Sequence, residues 1–162
     1  MKVLFVCSGN ICRSPMAAEY LRHRAAHSGL AHLVVDSAGT LGIVGAPASP
    51  EAIRTLREAG LDLTGHRSKG ISASDVKSSD LVVGMARDHL EYLAGHYPDG
   101  NDRRLLLRAF EHGADPDPDA RDLPDPIGEA VEVYREQFGL IRTCVDHLVL
   151  HLRHLDPSPD NG

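Results

Sequence analysis

Residues 2–15 read K-V-L-F-V-C-S-G-N-I-C-R-S-P, and the first half of this stretch has the pattern of a buried strand. Residues 2–7 form a short apolar run rich in β-branched and aromatic side chains, which is typical of a strand covered on both faces of a parallel sheet. A loop follows, after which Ser14 can cap a helix and Pro15 suits the first helical position. The stretch therefore predicts a strand, a loop and a helix over residues 16–27.

The rest of the chain repeats this order of strand and helix. Further strands are predicted at residues 33–35, 80–84 and 104–107. Further helices are predicted at residues 49–60, 72–76, 87–94 and 127–154. Apolar residues recur every three or four positions along the last of them, at Val131, Tyr134, Phe138, Ile141, Val145, Leu148 and Leu152. Because alternating strands and helices connect by right-handed crossovers, we predict one α/β domain over residues 1–155, with a parallel sheet between two helix layers. A disordered tail is predicted at residues 156–162.

The bulk composition is that of a single globular domain. The chain has 162 residues, of which 42% are hydrophobic and 25% charged, and its formal charge of −6 disfavours a nucleic-acid partner. It shows neither a signal-peptide pattern at its start nor an apolar run of about 18 residues that would suit a membrane span. Three cysteines do not form a disulfide framework and indicate a reducing compartment. We therefore expect a cytoplasmic protein without nucleic-acid or membrane partners.

The loop after the first strand combines a cysteine with an arginine. Cys7 and Arg13 are separated by five residues at the carboxyl end of a strand, where open α/β sheets bind ligands. A short loop that enters a helix directs backbone N–H groups toward an anion, and the planar guanidinium of Arg13 can bind two phosphate oxygens. The same positive field favours the thiolate of Cys7. The loop matches neither the nucleotide nor the dinucleotide glycine motif. Cys7 is therefore a candidate nucleophile toward phosphate, and a buried core cysteine is the structural alternative.

These residues resemble the signature of the low-molecular-weight protein tyrosine phosphatase family. The likeness covers most of the chain and continues, in the family's order, through D-S-A-G-T at residues 36–40, H-R-S at 66–68, D-L-V-V-G-M at 80–85 and D-P at 125–126. It implies a phosphotyrosine phosphatase I-like fold, with a four-stranded parallel sheet flanked by helices. It also implies an enzyme without cofactor or metal, whose partner is a phosphorylated protein and whose loop can hold a phosphate or sulfate ion.

The resemblance implies a mechanism in two steps. The Cys7 thiolate attacks phosphorus in line to give a phosphocysteine that water then hydrolyses, while Arg13 holds the phosphate. Asp125 would protonate the leaving group and later act as base toward the attacking water. Two other Asp-Pro pairs, at residues 115–116 and 117–118, leave the choice of acid open. We select Asp125 because it directly precedes the last predicted helix, although that position also suits a helix N-cap.

Further residues match supporting positions of the family. The predicted phosphate-binding loop consists of Ser8, Gly9, Asn10, Ile11, Cys12, Arg13 and Ser14. By the resemblance, four residues would keep the shape of the loop and hydrogen-bond the thiolate region: Asn10, Ser14, Ser37 and His66. For His66, an exposed loop histidine is the alternative. Cys12 would form a reversible disulfide with Cys7 under oxidation, as in family members, and a packed small residue is the alternative.

Substrate markers in the sequence disagree with one another. Aromatic residues common in phosphotyrosine-specific relatives are missing, since Ile127-Gly128 follows Asp125-Pro126 and the loop after the second strand contains only Leu41, Ile43 and Val44. This pattern resembles the protein arginine phosphatase branch. The bulky apolar Ile11 within the phosphate loop is instead associated with phosphotyrosine preference. We predict a protein tyrosine phosphatase, with a protein arginine phosphatase as the alternative.

Three other functions are less well supported by the sequence. Thioredoxin-coupled arsenate reductases share the loop but need resolving cysteines, and Cys144 is the only cysteine outside it. His147, His151 and His154 share one face of the last predicted helix and would suit a metal, although a solvated face is the simpler interpretation. A noncatalytic phosphate-binding module would retain its function without the Cys7 thiol.

Overall fold

The computed structural model describes residues 1–156 and contains a four-stranded parallel sheet. The strands are β1 (Lys2–Cys7), β2 (Val34–Gly39), β3 (Leu81–Gly84) and β4 (Arg104–Leu106). Their order is β2-β1-β3-β4, so that β1 pairs with both β2 and β3. The direction of progression along the sheet reverses between β1 and β3, and ligands bind at the carboxyl ends of strands at such a point. The predicted fold class is confirmed.

Helices cover both faces of the sheet. They are α1 (Arg13–Ala26), α2 (Pro50–Glu58), α3 (Ala73–Lys77), α4 (Arg87–His96) and α5 (Val131–Leu155), with short 3-10 turns at Asn101–Arg103 and Leu107–Phe110. Helix α5 packs against α1 and α2. Along β1, Val3, Phe5 and Cys7 belong to the core on that face, while Leu4 and Val6 face the opposite core with residues from α3 and α4. This alternation follows from the two-residue repeat of a strand.

The predicted starts of the first and the last helix are wrong. Helix α1 begins at Arg13 with Cys12 in the capping position, so Ser14 lies inside the first turn and its hydroxyl contacts Cys7 instead of capping. Helix α5 begins at Val131, because Gly128 adopts a left-handed conformation (φ 78°) that interrupts the helix predicted from residue 127. Asp125 is therefore not an N-cap. Helix α2, by contrast, has its predicted start, with the Ser49 hydroxyl accepting from the Ala52 amide.

Strand β2 is longer than predicted, because its pairing with β1 continues to the Cys7 and Gly39 positions. A Cβ atom on Gly39 would lie 2.6 Å from the carbonyl oxygen of Ser8, so the absence of a side chain allows β2 to approach the phosphate loop. The longer strand places Ser37 beside that loop.

The predicted tail begins at Asp156, which is hydrogen-bonded instead. Its carboxylate lies 2.8 Å from Nε2 of His32, and its amide donates to the Leu152 carbonyl. The remaining predicted tail, residues 157–162, lies outside the described residues. No helix within residues 1–156 combines the length and apolar character that crossing a membrane requires.

Candidate active site

The Cys7 thiol lies at the carboxyl end of β1, where the loop to α1 begins. Cys7 is 2% exposed, and its Sγ accepts a hydrogen bond from the Asn10 amide at 3.2 Å. The hydroxyl of Ser14 lies 2.9 Å from the same sulfur. Because this hydroxyl already accepts from the Asn10 side-chain amide, its proton is available to Cys7. Two donors therefore converge on the sulfur.

Asn10 holds the phosphate loop in place. Its backbone is left-handed, with φ of 57°, which is uncommon outside glycine. Its side-chain amide donates to the hydroxyls of Ser14 and Ser37, both at 2.9 Å, and its Oδ1 accepts from the Lys69 amide at 3.0 Å. Nε2 of His66 lies 2.6 Å from its carbonyl oxygen. The structure thus brings together the four residues predicted to support the loop.

His66 is a neutral donor in this arrangement. Burial lowers the pKa of its imidazole below the ordinary value. Because the carbonyl of Asn10 is only an acceptor, Nε2 must carry the proton. His66 therefore ties the loop to the segment that follows α2.

Arg13 is buried with its guanidinium beside the thiol loop. Its Nη1 donates to the Leu123 carbonyl at 2.8 Å, and its Nη2 lies 3.4 Å from the Ser8 hydroxyl. The Asp125 carboxylate is 3.5 Å from Nη2. These contacts fix the fork of the guanidinium beside the loop that begins at Cys7.

Asp125 lies at the rim of the site, with its side chain 44% exposed. Its Oδ1 accepts from the Ile127 amide at 3.1 Å, which turns the chain before α5. Asp125 does not directly precede α5, which begins at Val131, so the predicted adjacency is wrong, but its carboxylate lies next to Arg13. Asp115 and Asp117 do not line the cleft that opens above Cys7.

A cleft of about 140 Å³ opens above the thiol. Its lining residues are Cys7, Ser8, Gly9, Ile11, Cys12, Arg13, Leu41, Ile43, Asp125 and Ile127. The base of the cleft is polar, and its walls are aliphatic. None of these lining residues is aromatic, in agreement with the sequence pattern. Val44, which is 79% exposed, does not line the cleft.

A larger cleft of about 340 Å³ lies on the other side of the loop. It is lined by Asp36, Ser37, His66 and Lys69 among others, and neither Cys7 nor Arg13 reaches it. It therefore borders the supporting residues, and the predicted nucleophile lines the smaller cleft.

The two other cysteines are poor nucleophiles. Cys12 lies 3.3 Å from the Tyr134 hydroxyl and 3.5 Å from the Ser49 hydroxyl, and burial raises the pKa of its thiol. Cys144 is fully buried in α5, where burial raises its pKa to about 12. A resolving role for Cys144, as an arsenate reductase would need, is not supported by this burial.

The histidines of the last helix do not converge on a site. His147 is hydrogen-bonded through Nδ1 to the Phe110 carbonyl at 2.7 Å, and the ring of His151 packs near the Phe110 ring. No group of three or more potential metal ligands is present within residues 1–156.

Two contacts of the site were missed by the sequence reasoning. They are the bond from Arg13 to the Leu123 carbonyl and the bond between Ser8 and His89. No sequence pattern indicates the first contact, because its acceptor is a backbone carbonyl. The second had a weak sequence signal, because His89 stands in the first turn of a helix that follows a strand ending at the same sheet edge.

Comparison with known proteins places this geometry in a family. A model of the low molecular weight phosphotyrosine protein phosphatases matches residues 2–156. The chain belongs to this family. Its members are hydrolases. The predicted family membership is confirmed.

Relatives within the phosphatase family carry two kinds of name. The chain is 33% identical to a protein-arginine-phosphatase of Geobacillus stearothermophilus, over 94% of this chain and 96% of the relative. It is 31% identical to a putative low molecular weight protein-tyrosine-phosphatase of Klebsiella pneumoniae, over 86% and 88%. The solved low molecular weight protein tyrosine phosphatase of T. tengcongensis superposes with a TM-score of 0.84 at 35% identity, over 93% and 98%.

We expect peroxide to link Cys7 to Cys12 reversibly. Both cysteines line the cleft. Peroxide oxidises a thiolate to a sulfenic acid, and a neighbouring thiol condenses with it to give a disulfide and water. Peptide mapping by mass spectrometry should detect the Cys7–Cys12 bond, and dithiothreitol should restore activity. In Cys12→Ser, the sulfenic acid has no neighbouring thiol to condense with and is open to further oxidation to the sulfinic and sulfonic acids, so dithiothreitol should restore less activity than in the wild type. Absence of the crosslinked peptide in inactivated wild-type protein would refute this expectation.

Proposed function

We propose that this phosphatase hydrolyses phosphotyrosine in proteins through a phosphocysteine intermediate at Cys7. The observation that carries the proposal is the cleft itself, in which a thiol and a buried guanidinium lie below aliphatic walls. The base suits a phosphate dianion, and the walls suit the face of an aryl ring.

The chemistry proceeds by two displacements at phosphorus. The Cys7 sulfur attacks in line, the bond from phosphorus to the phenolic oxygen breaks, and Asp125 gives its proton to that oxygen. A water molecule then attacks the phosphocysteine, Asp125 takes the proton from this water, and the thiolate leaves. Arg13 and the amides of the loop stabilise the charge on the phosphoryl oxygens in both steps.

The aliphatic walls favour an aryl substrate over a guanidinium. Leu41, Ile43 and Ile127 offer no hydrogen-bond acceptor to the N–H groups of a phosphoarginine, and an unpaired buried polar group costs about 1–3 kcal/mol. Asp125 is the one acidic side chain that lines the cleft. Its presence, with the likeness to a protein-arginine-phosphatase, makes phosphoarginine the second candidate substrate.

Phosphate or sulfate is expected to occupy the same base. The related tyrosine phosphatase Wzb of Escherichia coli K30, with a TM-score of 0.81 and 28% identity, has been solved in complex with sulphate. A nucleophilic thiol also needs a reducing environment, which supports a cytoplasmic location. The family match over residues 2–156 supports the interpretation of residues 1–155 as one catalytic domain.

Peptides that differ only in the phosphorylated residue test the substrate. We expect kcat/KM for phosphotyrosine to exceed that for phosphoarginine by about tenfold or more, the value of one unpaired polar group. Phosphoserine should be slowest, since its alkoxide is a poor leaving group and it has no ring to contact the walls. Ile127→Ser should lower kcat/KM for phosphotyrosine about fivefold, through loss of about 1 kcal/mol of apolar contact.

The matched control is Leu150→Ser in α5. Leu150 and Ile127 are similarly exposed, at 46% and 54%, but Leu150 does not line the cleft. Its substitution should leave kcat/KM unchanged for both the phosphotyrosine and the phosphoarginine peptide. Faster hydrolysis of phosphoarginine by the wild type would replace the proposed substrate and leave the mechanism in place.

A further inference from the structure

A buried histidine lies behind the phosphate loop and contacts it. His89 stands in the first turn of α4, just after β3, and is 1% exposed. Its Nδ1 accepts a hydrogen bond from the Ala86 amide at 3.0 Å. An N–H group that would otherwise be unpaired at a helix start is satisfied in this way, as by the acidic residue of a capping box.

This contact determines which nitrogen of His89 carries the proton. Nδ1 uses its lone pair for the Ala86 amide, so in the neutral ring the proton is on Nε2. Burial, together with the charge of Arg13, lowers the pKa of His89 and keeps the ring neutral. Nε2 lies 2.9 Å from the Ser8 hydroxyl oxygen, while the Asp88 carboxylate is 3.7 Å away. His89 therefore donates to Ser8.

The hydroxyl of Ser8 accepts a second hydrogen bond, from Arg13. Nη2 of Arg13 lies 3.4 Å from the same oxygen. A hydroxyl has two acceptor lone pairs and one proton. With N–H groups directed at both lone pairs, the proton of Ser8 is free to donate to a third group. Ser8 lines the cleft beside Cys7 and Arg13, where a phosphoryl oxygen would be the acceptor.

We propose that the Ser8 hydroxyl is a specific hydrogen-bond donor to the substrate phosphoryl group, and that His89 is the positioning residue that orients it. This inference rests on the proposed phosphatase function. The relay runs from the Ala86 amide through the imidazole of His89 to Ser8, and it spans the edge between β1 and β3. It adds one oriented side-chain donor to the backbone amides and the guanidinium.

Ser8→Ala removes the donor and Ser8→Thr keeps a hydroxyl. A hydrogen bond to a charged group is worth roughly a factor of 10 to 100, so Ser8→Ala should lower kcat/KM by that amount, while Ser8→Thr should stay within about threefold of the wild type. Binding of inorganic phosphate, measured by calorimetry, should weaken in Ser8→Ala in the same direction. This second measurement does not depend on turnover.

Two substitutions of His89 separate orientation from packing. In Asn, the side-chain oxygen approximates Nδ1 and still accepts from Ala86, but no donor reaches Ser8. In Gln, the side-chain nitrogen approximates Nε2 and still donates to Ser8. We expect His89→Asn to lose nearly as much kcat/KM as Ser8→Ala, and His89→Gln to retain most of it. His96→Asn, an exposed position on the same helix, is the control that should match the wild type.

A double-mutant cycle decides whether His89 acts through Ser8. The double variant Ser8→Ala/His89→Asn should be no slower than Ser8→Ala alone, because the second change has nothing left to orient. If the losses in kcat/KM from Ser8→Ala and His89→Asn multiply in the double variant, His89 does not act through Ser8 and the positioning role is overturned. A Ser8→Ala enzyme within twofold of the wild type in both turnover and phosphate binding would overturn the whole inference. If the wild type hydrolyses no phosphotyrosine peptide, the proposed function fails instead, and phosphate binding by Ser8→Ala still tests the donor.

Discussion

Cys7→Ser is expected to lower kcat for a phosphotyrosine peptide by about 10⁴-fold or more, the scale seen when a hydrolase loses its nucleophile. A serine hydroxyl in this position lacks a general base to remove its proton, and without one a hydroxyl is a weaker nucleophile than a cysteine sulfur. Stopped or continuous assays of phosphate release measure the loss. The variant should still bind inorganic phosphate, because the loop amides and Arg13 remain.

Cys144→Ala provides the matched control for that loss. Cys144 is fully buried in α5, and its substitution removes a sulfur without touching the cleft, so turnover should be retained. If Cys7→Ser kept substantial activity, or if the protein supported its cellular role without the thiol, a noncatalytic phosphate-binding function would take the place of the proposed one.

Asp125→Asn is expected to lower kcat for phosphotyrosine by about 10²–10⁴-fold, the usual range for loss of a general acid or base. An amide cannot give a proton to the phenolic oxygen or take one from water. With nitrophenyl phosphate the leaving group is a more stable anion and needs less help, so the first step should be affected less than the second. The variant should then release a burst of nitrophenol and accumulate phosphocysteine, which mass spectrometry detects.

The two neighbouring Asp-Pro pairs supply the controls for Asp125. Asp115→Asn and Asp117→Asn alter the same irregular segment, but neither residue lines the cleft, and both variants should retain kcat. A large loss in either of them, with Asp125→Asn near the wild type, would assign the acid to that residue instead.

Local signals in the sequence predicted the elements better than their ends. Ser49 and Pro50 marked the start of α2 correctly, because a cap and a fixed φ act within one turn. The start of α5 was placed too early, since Asp125-Pro126 resembles a cap. The left-handed Gly128 excluded a helix there, and the apolar repeat itself begins only at Val131. A repeat of buried side chains was the more reliable guide.

The candidate site was predictable where its residues are consecutive. Cys7, Arg13 and the loop between them lie within seven residues, so their spacing alone indicated an anion site. The contact from Arg13 to Leu123 joins residues 110 apart, and that from Ser8 to His89 joins residues 81 apart. Such pairings depend on strand order and on where each loop leaves the sheet, which local patterns do not encode.

The left-handed turn at Asn10 affects how much conformational entropy the loop loses when it binds an anion. Three groups from distant parts of the chain and the nearby Ser14 hydroxyl hold Asn10 before any anion arrives. A loop that is already immobile loses little conformational freedom on binding, so almost all of the attraction between anion and amides is available as affinity. For an enzyme that must also release inorganic phosphate, we expect the same hydrogen bonds to persist in the occupied loop, so that the cycle requires no refolding between turnovers.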